Sequence, residues 1–463
     1  MSNITKLKDS LQSFRSNAAG IDIGCHSHFV AVPSATCEQS VREFSSFTDD
    51  LYKIAEWLQE CGITTVAMES TSVYWIPLYE ILEEKNFEVF LVNSQHVKNA
   101  PGRKTDVQDA QWLQQLHTYG LLQNSFRPKD VFLELRAFCR QRTMLIEEAA
   151  SFVMRMQKAL TQMNIQLNNV IRDVTGLTGM NILRDIVKGE RNPKVLASHR
   201  HFRCKNSEEV IARSLQGNFR KEHVFALKQA IEMHDFYNQK IKECEMEIEK
   251  RVRSIESSVI KLDPARQAIE LGECSDELSS HYCKTKVGKK LKKHEFSFDV
   301  ETSLKKITGC ELTAIPGLGE SAALTIISET GVDMRHWKNS KHFASWLGLC
   351  PKNKISGGRV LNSRTRPGAR RVAWILRMCA TCLHHSKTAL GAHLRRLKSR
   401  LGAPKAITAI AHKLAKMLYN MLKYGTKYVE EGQEQYEKRY QERRLNNLLK
   451  QARQLGLELS PTR

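Results

Sequence analysis

The sequence contains no Asp and no Glu between Met334 and Val429, although these 96 residues hold 21 of the chain's 71 Lys and Arg. The other 50 basic residues equal the 50 acidic residues in number, so the whole formal charge of +21 lies in this acid-free segment. A neutral chain with one strongly basic module is typical of a protein that binds a polyanion, most often a nucleic acid.

Long apolar runs are also missing. No uninterrupted apolar stretch reaches the roughly 18 residues of a membrane span, and the first 20 residues are polar, so we expect neither a membrane helix nor a secretory signal. Twelve cysteines scattered along so long a chain favour free thiols in a reducing, cytoplasmic setting. Cys379 and Cys382 form a Cys-x-x-Cys, but no second ligand pair follows at a suitable spacing, so core packing or a plain surface position is favoured over zinc.

The spacing of apolar residues predicts an α/β domain over residues 15–127, followed by helices. Strands are expected in 19–32 (two, joined by a tight turn), 64–68 and 87–92, and helices over 48–61, 75–85 and 106–119. Strand patterns end near residue 130, where long helical patterns cover 133–171 and 223–259. The predicted fold class is therefore α/β plus all-α.

The middle of the chain, residues 128–262, predicts a helical or coiled-coil linker. Leu227, Ile241, Ile248 and Ile255 recur at multiples of seven, with His234 in the same register. This pattern fits a coiled coil or an antiparallel hairpin, and an ordinary amphipathic bundle helix fits it equally well. Residues 263–306 read as a charged insertion, either a solvated loop or a polyanion contact, and residues 429–463 as a charged helical tail.

Four acids have positions that suit metal binding. Asp22 lies inside an apolar strand, Glu69 closes another strand, and Asp106 and Asp109 share one face of a helix. A charge in an apolar strand is costly unless it is paired or binds a metal, and carboxylates from two strands and a helix would suit two Mg²⁺ ions. The alternative for Asp106 and Asp109 is an ordinary helix N-terminus, where acids are favoured.

The segments around these acids resemble one transposase family. Met68-Glu69-Ser70-Thr71, then Asn93-x-x-x-Val97-Lys98-Asn99-x-Pro101-Gly102-Arg103-Lys104-Thr105-Asp106 and Asp109-Ala110 are similar to the Asp-Glu-Asp-Asp insertion-sequence transposases of the one-ten family, in the form of its eleven-eleven branch. The resemblance implies a RuvC-like, ribonuclease-H-type domain in which Asp22, Glu69, Asp106 and Asp109 bind Mg²⁺ or Mn²⁺. One departure is Ser72, where many members have glycine. Lys98, Arg103 and Lys104 either contact a phosphate backbone or balance the acids.

The basic module, residues 310–428, contains two further motifs. Ile315-Pro316-Gly317-Leu318-Gly319 reads as a helix-hairpin-helix-like link, in which Gly317 and Gly319 let backbone N–H groups approach a phosphate. Ser356-Gly357-Gly358 follows, which by itself is an ordinary turn. Cations that could contact nucleic acid surround it: Lys352, Lys354, Arg359, Arg364, Arg366, Arg370 and Arg371.

The same resemblance extends to this module and implies a mechanism. It makes Ser356 the nucleophile of a covalent serine–DNA intermediate in a recombinase that excises and inserts a mobile element. The resemblance also implies donor and target DNA, a structured guide RNA (bridge or seeker RNA), and a homo-oligomer, dimer or tetramer, acting at the nucleoid. A phosphate-binding Gly-x-x-x-x-Gly-Lys-Ser/Thr loop is absent, which fits strand rejoining without ATP. A RuvC-like nuclease that uses metal and water, and a non-catalytic nucleic-acid-binding protein, remain alternatives.

Overall fold

The computed structural model describes residues 14–93, 105–128, 130–262, 295–366, 371–426, 428 and 432–457. The chain divides into two compact units between Arg127 and Pro128. Within the described ranges, no helix is long and apolar enough to cross a membrane.

The first unit is built on a five-stranded mixed sheet. Its strands are β1 (Ala18–Ile23), β2 (Ser27–Ala31), β3 (Val41–Ser45), β4 (Thr65–Glu69) and β5 (Glu88–Val92), and its helices are α1 (Thr48–Glu60), α2 (Trp75–Glu84) and α3 (Asp106–Thr118). The strand order is β3-β2-β1-β4-β5. β1 to β3 pair antiparallel, whereas β4 runs parallel to both β1 and β5. This mixed α/β domain is consistent with a ribonuclease-H-type fold.

Two apolar layers hold the sheet. On one side α1 and α2 bury residues such as Ile54, Leu58, Leu78 and Leu82 against strand residues such as Ile21. On the other side α3 packs onto β1 with almost no space between the backbones. A Cβ atom added to Gly20 would lie 2.2 Å from the Gln114 backbone nitrogen, so glycine is required for this approach.

The second unit begins with α4 (Asp130–Gln162), α5 (Leu167–Val170), α6 (Leu177–Lys188), α7 (Pro193–Ala197), α8 (Glu208–Ser214) and α9 (Lys221–Leu262). α4 and α9 form an antiparallel pair: Arg251 is bound to Glu134 near one end, and Phe152 stacks on Tyr237 towards the other. The predicted helix over 133–171 is too long, because α4 ends at Gln162.

The heptad positions of α9 are buried within the chain. Leu227, Ile248 and Ile255 are at most 1% exposed, and Ile241 and His234 are below 10%. α4 lies along α9 and packs against these heptad positions. The heptad pattern therefore corresponds to the antiparallel hairpin, one of the arrangements expected from the sequence. The heptad face of α9 is therefore filled by the chain's own helix rather than open to a second subunit.

The basic module is compact and mainly helical. It is preceded by α10 (Val300–Thr308) and comprises α11 (Glu320–Thr330), α12 (Ser340–Trp346), the hairpin β6 (Lys354–Ser356) and β7 (Arg359–Asn362), α13 (Arg371–Cys382), α14 (Ala389–Leu401) and α15 (Ala403–Tyr424); α16 (Gln433–Gln454) follows. Its core includes Phe343, Leu376, Leu414 and Tyr419, whose hydroxyl donates to the Trp337 carbonyl at 2.8 Å.

Two expectations about this region were wrong. Strands do not end at residue 130, because β6 and β7 pair as an antiparallel hairpin. The charged segment 263–306 is not irregular throughout: residues 263–294 lie outside the described ranges, but α10 begins at Val300. Val300 and Leu304 are buried, and Lys306 pairs with Glu256 of α9 at 2.6 Å, so helical spacing and packing outweigh the local charge.

Candidate catalytic sites

The first candidate site is built around Asp22. This residue pairs in register with Phe29 of β2 and lies between the buried residues Ile21 and Ile23. Burial is the main reason that the pKa of Asp22 is raised to about 6, and the neighbouring carboxylates of Asp106, Asp109 and Glu69 raise it further. The four predicted acids are therefore close enough in space for three of them to raise the pKa of the fourth, Asp22.

The fold explains this convergence. Glu69 is the last residue of β4, the parallel neighbour of β1, and Asp106 and Asp109 occupy the first turn of α3, which packs on β1. The Thr105 hydroxyl caps α3 by accepting a hydrogen bond from the Gln108 backbone N–H at 3.4 Å. Both helix acids thus lie at the positive end of the helix dipole.

The acids do not form a closed ligand cluster. Among the described residues, no group of three or more His, Cys, Asp or Glu side chains is arranged to hold a metal ion. Their chemistry nevertheless fits one, because carboxylate oxygens are the ligands that Mg²⁺ and Mn²⁺ prefer. A divalent cation would also offset the mutual repulsion that raises the pKa of Asp22.

His117 anchors the far end of α3 to the sheet. The Thr65 hydroxyl donates to the Glu88 carbonyl at 3.0 Å, so it accepts from His117 Nε2 at 2.8 Å, while Nδ1 faces the Arg15 guanidinium at 3.5 Å. Burial, reinforced by Arg15, lowers the pKa of His117 to about 4. The neutral imidazole therefore serves as a fixed structural hydrogen-bond partner rather than as a charge.

The departure at Ser72 has a structural consequence. Ser72 has φ of +50° in the loop that leaves β4 after Glu69, a conformation in which a glycine carries no steric penalty. The Ser72 carbonyl accepts a hydrogen bond from Trp75 Nε1 at 3.1 Å. This turn is thus compatible with serine at position 72, at the cost of local strain.

The second candidate site is the β6–β7 hairpin. Ser356 is the last residue of β6 and pairs with Arg359, while Gly357 and Gly358 form the two-residue turn with φ of +54° and +74°. Positive φ at both turn positions is typical of a type I′ hairpin. Ser356 is exposed, and its hydroxyl has no hydrogen-bond partner among the described residues.

The predicted cations of the basic module differ in their surroundings. Lys352, Lys354, Arg359, Arg364 and Arg366 are all exposed, on or beside the hairpin, where they are free to meet a phosphate. Four other predicted contacts lie outside the described residues: Lys98, Arg103, Lys104 and Arg370.

Arg371 is the exception. Its Nε lies 3.7 Å from Glu329 Oε1, and Glu329 also accepts two hydrogen bonds from Arg140 of α4, both at 2.7 Å. Glu329 is 8% exposed, so this carboxylate links α4, α11 and α13 from within. The contact between Glu329 and Arg140 could not be predicted, because nothing in the local sequence pattern indicates that such distant segments meet. Phosphate binding by Arg371 would compete with this ion pair.

The predicted helix-hairpin-helix-like link takes a definite form. Gly319 is the N-cap of α11, and a Cβ atom there would meet no other atom within 4 Å. Gly317 has φ of +84°, and a Cβ atom there would lie 2.7 Å from the Cys379 carbonyl. Gly317 is therefore needed for the close packing of this link against α13, and its role as a phosphate contact stays a prediction.

Comparison with known proteins finds one family match over each of the two candidate sites. Residues 19–165 match a family described as a transposase, the DEDD domain of IS110, and residues 310–394 match the "Transposase IS116/IS110/IS902 family". A protein of Sinorhizobium fredii whose name refers to a transposase is 33% identical over 135 residues, which cover 27% of this chain and 34% of the relative. A Pseudomonas aeruginosa protein whose name refers to a family 20 transposase is 29% identical over 122 residues, which cover 25% and 36%.

The chain thus spans about a third of the length of either relative. The predicted resemblance to the one-ten family is confirmed, whereas the eleven-eleven branch stays a prediction. The chain carries two domains of the IS110 transposase family.

Proposed function

We propose that this protein is a DNA transposase that cuts and rejoins strands through a covalent serine–DNA intermediate. The observation that carries the proposal is Ser356, an exposed hydroxyl at the turn of a hairpin, in a segment without a single acid. The matches to transposase families support DNA as the substrate.

In the proposed reaction the Ser356 oxygen attacks the scissile phosphorus. A new P–O bond to serine forms, the P–O bond to one deoxyribose oxygen breaks, and the serine proton ends on that leaving oxygen. The phosphodiester energy is kept in the serine ester, so the reverse attack by a deoxyribose hydroxyl rejoins a strand without ATP. Exposed Lys354 and Arg359 flank the hydroxyl and are suited to stabilise charge on the phosphate.

Asp22, Glu69, Asp106 and Asp109 are the residues that would hold one or two Mg²⁺ or Mn²⁺ ions. When bound, these ions would supply positive charge to offset the negative charge of the reacting phosphate. The chain's own contribution is to fix the acids on β1, β4 and the first turn of α3. Residues 1–127 hold 15 Asp and Glu against 10 Lys and Arg, so this acidic domain approaches DNA only with cations bound.

A structured guide RNA and assembly into a dimer or tetramer complete the proposal, both on the strength of the family resemblance. With a guide, base pairing selects the target and the protein supplies backbone contacts and chemistry. Sequencing the RNA that co-purifies with the protein tests this part: a discrete structured species supports guidance, and random fragments refute it.

Covalent trapping tests the nucleophile. Wild-type protein, incubated with labelled substrate DNA and Mg²⁺ and then denatured, is expected to carry label, whereas Ser356→Ala carries none and still binds DNA. Ser363→Ala, which removes an exposed serine just beyond β7, is the matched control and is expected to trap normally. Full cleavage by Ser356→Ala, or wild-type cleavage without an adduct, refutes the assignment and favours a hydrolytic nuclease.

A further inference from the structure

An exposed tryptophan lies on the basic module. All six tryptophans of the chain are within the described residues; five are buried or partly buried, whereas Trp374 is 59% exposed. The Trp374 ring makes no aromatic contact, cation–π contact or hydrogen bond with any described residue. A large aromatic side chain left in water on a rigid element is typical of a binding surface.

The helix that carries Trp374 is held firmly. The opposite face of α13 buries residues such as Val372, Leu376 and Ala380 in the module core. Gly317 meets the backbone of α13 at Cys379, where no Cβ atom would fit. Trp374 is therefore presented on a fixed surface, so little conformational freedom is lost when a ligand covers it.

The neighbours of Trp374 are apolar or cationic. Met378, four residues later on the same face, is 48% exposed and extends the apolar surface. Arg371 and Arg377 lie three residues before and after Trp374, at the spacing of side-chain neighbours on a helix. Arg371 is shared with Glu329, whereas Arg377 is partly exposed and makes no ion pair with any described residue.

We propose that Trp374 is a stacking platform for a base of an unpaired DNA strand, with Arg377 contacting the adjacent phosphate. A flat aromatic ring between cations matches the alternation of base and phosphate in a single strand. A second copy of this face would instead bring cations against cations. The inference rests on the proposed function, because strand exchange requires that DNA be unpaired beside the reacting serine.

Stacking requires an accessible base face, so the contribution of Trp374 should be selective for unpaired DNA. Loss of one base–aromatic stack costs about 1–3 kcal/mol, which is a roughly 5- to 150-fold loss of affinity. Trp374→Ala is therefore expected to weaken binding of an oligo-dT strand by at least about 5-fold and to change binding of a matched duplex by less than about 2-fold. Trp374→Phe should retain most of the affinity.

The matched control is Phe225→Ala. Phe225 is 61% exposed, close to the value for Trp374, but it lies on α9 outside the acid-free segment. Binding of both oligonucleotides by Phe225→Ala should equal that of wild type. Thermal denaturation of all three variants checks that they are folded.

Fluorescence provides a direct readout. Trp374 is more exposed than the other five tryptophans, so it should account for most of the tryptophan emission that acrylamide quenches. Trp374→Phe should remove this quenchable fraction. Adding oligo-dT to wild type should protect it, and adding duplex should not.

Three results would overturn the inference. Unchanged oligo-dT affinity in Trp374→Ala excludes stacking, and a larger loss for oligo-U than for oligo-dT assigns the surface to RNA. Conversion of a nucleic-acid-free oligomer to monomers by Trp374→Ala assigns it to a protein partner. The covalent trapping assay on wild type tests the proposed chemistry independently. If wild type forms no covalent adduct but still prefers single strands in a way that depends on Trp374, the proposed chemistry is refuted and the proposed binding site is retained.

Discussion

Asp22 is expected to destabilise the metal-free protein, so its replacement by asparagine should be stabilising. The rise of its pKa from 3.8 to about 6 corresponds to about 3 kcal/mol at 1.36 kcal/mol per pKa unit. Since Asp22 is only partly buried, solvent screening reduces this to about 1–2 kcal/mol. Asp22→Asn keeps the shape of the side chain, removes the charge and should raise the free energy of unfolding by that amount.

The pH dependence has a definite sign. Asp22 is protonated in both the folded and the unfolded states below about pH 4, so the wild type carries no penalty there. Between the unfolded pKa of 3.8 and the folded pKa of about 6 the unfolded state loses its proton first, and the penalty grows. The advantage of Asp22→Asn should therefore be largest above pH 6 and disappear near pH 4.

Hydrogen exchange of peptides from β1, β4 and α3 measures the change in local stability around Asp22. At pH 8 without divalent cations, exchange in Asp22→Asn should be about 5- to 30-fold slower than in wild type, after correction for intrinsic rates. Mg²⁺ should slow exchange in the wild type and leave the variant unchanged. Asp49→Asn, which removes an exposed acid from the first turn of α1, is the control and should not be stabilised.

Two results would refute this reasoning. If Asp22→Asn were no more stable than wild type at pH 8, the converging carboxylates would carry no electrostatic cost. If its advantage persisted at pH 4, the effect would come from packing or hydrogen bonding rather than from charge.

Two further substitutions probe the neighbouring structure. Glu329→Gln should lower the free energy of unfolding of the second unit by about 1–2 kcal/mol, because Arg140 and Arg371 lose a buried carboxylate. Urea denaturation measures this change, with Glu311→Gln at an exposed position as the control. Equal denaturation midpoints for Glu329→Gln and wild type would contradict the role of Glu329 in linking the helices. Ser72→Gly should stabilise the first unit by about 0.5–1 kcal/mol by relieving the positive φ; a loss of stability in thermal denaturation would show that the serine makes a compensating interaction.

The sequence predicted the first unit well because its signals are local. Apolar β-branched runs marked β1, β2, β4 and β5, and the helical spacing marked α1 to α3. β3 was not predicted, because Val41–Ser45 mixes charged and apolar residues and is only half-buried. The convergence of the acids followed from strand and helix ends, whereas the close approach of α3 at Gly20 appears only in three dimensions.

The second unit was harder to predict because its decisive contacts are distant in sequence. Gly357-Gly358 between the β-branched residues Ile355 and Val360 is a hairpin signal, yet the surrounding charge favoured a loop. The heptads of α9 indicated a helical partner but not that the partner is α4 of the same chain. The link from Glu329 to Arg140 and Arg371 depends on how three helices meet, which no local pattern encodes.

Glu329 differs from Asp22, Ser356 and Trp374 in what it does for the fold. Glu329 is paired with Arg140 and Arg371 within the fold, and we expect the chain to lose stability when it is removed. Asp22 carries a raised pKa, and Ser356 and Trp374 have no hydrogen-bond or aromatic partner among the described residues, so we expect these three side chains to add little to the stability of the free protein. Local inconsistency of this kind is expected where a ligand supplies the missing interactions. It follows that replacing any of these three residues should leave the free protein as stable as wild type or more so. Replacing Asp22 should weaken metal binding, replacing Ser356 should abolish the covalent DNA link, and replacing Trp374 should weaken binding of the unpaired strand.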